Sequence, residues 1–93
     1  MVKNKEEVKE QLNYVKELME NIIEDTSVPR NIRKAIDDAK QKITANSDAL
    51  QLNTTTAIYI MEDISNDINM PSHTRTDIWT IISELESVRE KSK

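Results

Sequence analysis

The sequence predicts an all-α protein, a four-helix bundle made from two duplicated helix–turn–helix hairpins. Three observations carry this. Apolar residues recur at alternating steps of three and four in four separate segments, the spacing of one face of a helix. Glycine is absent from all 93 residues and proline occurs twice, so the primed turns of β-hairpins lack their usual residue. The sequence also aligns with itself after a shift of 42 residues.

The first stripe is Val8, Leu12, Val15, Met19 and Ile22, widened by Leu18 and Ile23, and it predicts a helix over 4–25. The segment 25–29, Asp-Thr-Ser-Val-Pro, breaks it, with Pro29 suited to a first helical turn and Ser27 the candidate cap. A second helix over 28–46 follows from Ile32, Ala35, Ile36, Ala39 and Ile43. Asn46, Ser47 and Asp48 form the next break, Ser47 or Asp48 being the candidate cap. Leu50, Thr54, Ala57, Met61, Ile64 and Ile68 mark a third helix over 48–67. Ile78, Ile81, Ile82, Leu85 and Val88 mark a fourth over 70–90.

Under the 42-residue shift, seven positions are identical without a gap: Met19/Met61, Glu20/Glu62, Ile22/Ile64, Asp25/Asp67, Pro29/Pro71, Arg33/Arg75 and Ile36/Ile78. They cluster at the break and on the apolar face. The expected organisation is therefore a single domain, 1–93, with repeat units over roughly 4–46 and 47–90. A period near 40 with two helices per unit also suits a HEAT-like open pair, the alternative architecture. Two units are fewer than a solenoid usually needs, and two hairpins bury their stripes better against each other.

The stretches 24–35 and 64–86 resemble an uncharacterised, UPF-type archaeal family of short all-helical proteins. The resemblance rests on Glu24-Asp25-Thr26-Ser27-Val28-Pro29-Arg30-Asn31, on Asn69-Met70-Pro71-Ser72-His73-Thr74-Arg75, and on Ile78-Trp79. It implies an archaeal, cytoplasmic protein with a compact helical bundle, and it carries no activity, cofactor or site residue with it.

Composition narrows the functional classes. Without cysteine there is no thiolate metal site, and without glycine no phosphate-cradling loop. The net charge of −4 opposes a generic nucleic-acid binder. The charged opening MVKNKEEVKEQ is unlike a signal peptide, and no apolar run approaches the length of a membrane span, so a cytoplasmic location without membrane association is expected.

Candidate residues are weighed on this background. Asp25/Arg33 and Asp67/Arg75 recur in both units and read as structural ties across the turns, each arginine reaching back to the aspartate or to the last carbonyls of the preceding helix. His73 stands beside Ser72, Thr74 and Asp77, but neighbours on a helix point about 100° apart, so a catalytic triad is not formed there and an exposed or capping role is expected. Glu24, Asp25, Asp37 and Asp38 read as a solvated charged face.

Tyr59 and Trp79 sit beside the apolar seams of helices 3 and 4 and are the candidate interface anchors. Arg30, Lys34 and Lys42, with Arg33 and Lys40, make helix 2 the most basic segment and the candidate nucleic-acid face. The expected function is a non-enzymatic protein-interaction module with no cofactor or metal. Its partner is another protein or a second copy of the chain. The alternative is an RNA- or DNA-associated accessory protein.

Overall fold

The computed structural model describes residues 2–44 and 49–92. The break expected at Asn46, Ser47 and Asp48 lies outside them, as do the expected end of helix 2 and start of helix 3. Four helices follow in order: α1 (Val2–Ile23), α2 (Arg30–Thr44), α3 (Leu50–Ile64) and α4 (Ser72–Lys91), with no strand among the described residues. α1 packs on α2 and α4, and α3 packs on the same two, so the helices close into a ring measuring 41 × 19 × 18 Å. This is the four-helix bundle; an open HEAT-like pair would leave α1 and α4 apart.

Both hairpin turns are shorter in helix than the sequence suggests, for one reason. At Asp25 and Asp67 a carboxylate oxygen, Oδ1, accepts the N–H two residues on, from Ser27 and Asn69, each at 2.9 Å. That local bond substitutes for a helical one and diverts the backbone. The backbone bond that closes each turn is repeated. The N–H of Val28 donates to the Asp25 carbonyl at 3.1 Å, and that of Met70 to the Asp67 carbonyl at 3.3 Å.

Pro71, extended at φ −59° and ψ 147°, stands just before α4, and its carbonyl accepts the Arg75 N–H at 3.0 Å. Pro29 accepts from Arg33 at 3.1 Å in the same way. The prolines thus precede the helices instead of opening their first turns. Ser27 is not the cap: its hydroxyl donates to Asp25 Oδ1 at 2.6 Å, and the aspartate satisfies the turn.

The stripes meet inside. Met19, Ile32, Ile36, Met61, Ile78, Ile81 and Leu85 are fully buried, and Val28 and Met70 close the core beneath the two turns. Each such side chain contributes on the order of 1.5–3 kcal/mol by leaving water. Ile68, assigned to the third stripe by spacing, instead lies in the second turn and is 91% exposed, because α3 has already ended at Ile64.

Thr54 fills the gap in the α3 stripe and Thr74 the first turn of α4; both are buried, and both hydroxyls lack a hydrogen-bond partner. Exposed threonines such as Thr55 and Thr76 donate to the carbonyl four residues back. A buried, unsatisfied hydroxyl costs about 1–3 kcal/mol. Thr54→Val is therefore expected to raise stability by roughly 1 kcal/mol in urea unfolding. Ile36→Ala should lower it by about 2–5 kcal/mol in the same assay.

Candidate interaction surface

The two turns lie at one end of the bundle and are bound to each other. Asn31 Nδ2, in the first turn of α2, donates to Asp67 Oδ2 at 3.2 Å. His73 Nε2, in the first turn of α4, lies 3.2 Å from Asp25 Oδ2. Asn31 and His73 are 42 residues apart, as are Asp25 and Asp67, so the two contacts are equivalents of one another. Each aspartate shapes its own turn through Oδ1 and holds the other hairpin through Oδ2.

The arginines act on the same turns through carbonyls. Arg33 Nε donates to the Val28 carbonyl at 3.0 Å. Arg75 donates to the carbonyls of Ser65 and Asp67, the latter at 3.0 Å, bridging the end of α3. The Ser27 hydroxyl, then the Ser27 N–H, then His73 favour the anionic carboxylate of Asp25 and pull its pKa down to about 2.

Of the five basic residues of α2, Arg33 and Lys40 are engaged. Arg33 is held at the turn, Lys40 pairs with Glu20 on α1 and holds that carboxyl below its usual range, and Lys34 lies 3.9 Å from Asp38. Arg30 and Lys42 are exposed. Asp38 and Lys42, with Gln41, Asn53 and Ile60, line an open cleft between α2 and α3. Asp37 accepts from Gln41, and Glu24 is exposed. No group of three or more His, Cys, Asp or Glu that could hold a metal occurs among the described residues. No described helix is long and apolar enough to cross a membrane.

Among the described residues, three of the large exposed apolar groups lie on α3 and α4; the others are Ile68 in the second turn and Tyr14 on α1. Trp79 is 59% exposed, Tyr59 64% and Leu52 66%, although the core is closed without them. Leu52 and Tyr59, seven residues apart, share one face of α3. That face is opposite the buried Thr54, Ala57 and Met61. Leu52 was not singled out from sequence, though its spacing from Tyr59 is the signal that marks it. The pairing of His73 with Asp25 was also missed; the 42-residue register sets Asn31 on His73 but does not bring the two turns together.

A four-helix bundle closed from two hairpins defines a class of small all-helical proteins. The sequence model of the uncharacterised protein family UPF0147 matches residues 1–88, and the chain belongs to that family. It is 50% identical to the UPF0147 protein of Methanocaldococcus jannaschii over 72 residues, 77% of each chain. It is 42% identical to that of Archaeoglobus fulgidus over 86% of this chain and 91% of the relative.

A crystal structure of a UPF0147 protein from Thermoplasma acidophilum superposes with a TM-score of 0.81 at 36% identity, over 86% of this chain and 94% of that one. The crystal structure of a protein of unknown function, MMP1188, gives 0.78 at 49% identity, over 83% and 88%.

The depressed pKa of Asp25 sets a pH dependence. Its anion is favoured in the folded state, so the stabilisation is complete above the ordinary value of 3.8 and is lost as pH falls towards about 2. Urea midpoints measured across that window should fall with pH, and more steeply for the native chain than for Asp25→Asn. Equal slopes would show that this carboxylate does not carry the effect.

Proposed function

We propose that the protein is a small, cytoplasmic, non-enzymatic interaction module that binds a protein partner through the outer face of α3 and α4. The observation that carries this is the exposure of Leu52, Tyr59 and Trp79 on a bundle whose core is already complete. Aromatic side chains are the commonest anchors of protein interfaces, and clustered exposed apolar groups mark contact surfaces. The nucleic-acid alternative has less support, because the chain carries a net charge of −4 and Arg33 and Lys40 of the basic helix already have intramolecular partners.

The test is affinity capture from archaeal cell extract with the native chain and three variants. Protein bound by the native chain should be lost from Trp79→Ala and Tyr59→Ala and retained by Lys34→Glu/Lys42→Glu. Trp79→Ala should keep its helix content and cost less than about 1 kcal/mol of stability, against roughly 3–5 kcal/mol for a core tryptophan. Nuclease-sensitive capture that depends on Lys34 and Lys42 would favour the alternative instead.

A further inference from the structure

The exposed charged side chains that flank Tyr59 and Trp79 on α3 and α4 are Glu62, Asp63 and Glu86. α3 contains no lysine or arginine. Glu62 and Asp63 follow Tyr59 in the next turn and are exposed. On α4, Arg75 reaches across to the end of α3, which fixes the flank of α4 that faces it. Trp79 follows Arg75 by one turn, and exposed Glu86 lies two turns beyond Trp79.

The cations of α4 are occupied or withdrawn, and exposed Lys42 of α2 lies at the cleft beside Asn53 and Ile60. Arg75 is spent on carbonyls, Lys91 is bound to Glu7 and Gln11 on the α1 side, and Arg89 is half-buried. Thr55 and Thr56 donate their hydroxyls to the carbonyls of Gln51 and Leu52, so polar capacity between Leu52 and Tyr59 is already used within α3.

We infer that the occupant of this face is a basic amphipathic helix of another protein, its apolar stripe on Leu52, Tyr59 and Trp79 and its lysines or arginines against Glu62, Asp63 and Glu86. This rests on the binding role proposed above and adds the partner's chemistry. An amphipathic helix lays an apolar stripe into such a face, and opposite charges at its margins set its orientation and exclude wrong partners. A second copy docking the same face by two-fold symmetry would bring Glu62 and Asp63 of both chains together, a like-charge contact.

Two idealised amphipathic peptides, leucine–lysine and leucine–glutamate at helical spacing, are titrated into the full chain in about 0.15 M salt, where distant surface charges are screened. Binding is read from Trp79 fluorescence and from amide shifts over 52–63. The leucine–lysine peptide should bind and the leucine–glutamate peptide should not. Glu62→Lys/Asp63→Lys should weaken binding by about tenfold or more, whereas Glu10→Lys/Glu17→Lys on α1, an equal change of net charge, should not.

Equal weakening by both double variants would show unspecific attraction and overturn the inference. So would indifference to peptide charge, although the face would then still bind protein and the role proposed above would stand. A dimer in sedimentation that Tyr59→Lys dissociates would assign the face to a second copy. Binding of neither peptide overturns the inference alone; unchanged capture by Trp79→Ala overturns the binding role itself.

Discussion

Each turn of this bundle is governed by an aspartate whose two oxygens have separate duties. Oδ1 of Asp25 and of Asp67 takes the N–H two residues on and ends the local helix. Oδ2 takes a side chain from the other hairpin, His73 for Asp25 and Asn31 for Asp67. The direction in which each second helix leaves its turn, and the pairing of the two hairpins at that end, therefore depend on the same two side chains. The arginines at 33 and 75 complete the arrangement by satisfying turn carbonyls that the departing backbone leaves open.

The remainder of the bundle is fastened differently at its two ends. Around the turns the hairpins are tied by the aspartates. At the far end, Gln11 of α1 donates to Glu84 and Ser87 of α4, and Lys91 reaches Glu7 and Gln11. Between them lies an apolar interior to which all four helices contribute. The outer face of α3 and α4 takes part in neither fastening, and it carries the exposed Leu52, Tyr59 and Trp79.

The helices and the core were legible because a step of three and four leaves few alternatives: Met19, Ile36, Met61 and Ile78 are buried where that step places them. Helix ends were less legible. Ile68 continues the third stripe in sequence, but the bond from Asn69 to Asp67 competes with the helix and turns it outwards. Trp79 lies one step of about 100° from Ile78, and that rotation was enough to place it at the edge of the seam but not to say how far out. The contacts between turns required knowing that both turns share one end, which periodicity does not contain.

A chain that reverses twice around Asp and Pro, with no positive φ among its described residues, has no use for glycine at those two places. The consequence is felt in the unfolded protein. Each glycine replaced by a residue with a Cβ narrows the unfolded chain's choices and is worth about 0.4–1 kcal/mol where the native backbone tolerates it. Pro29 and Pro71 narrow those choices further by fixing φ. Part of what keeps this bundle folded is thus absent from every contact within it, residing in the conformations the unfolded chain has been denied.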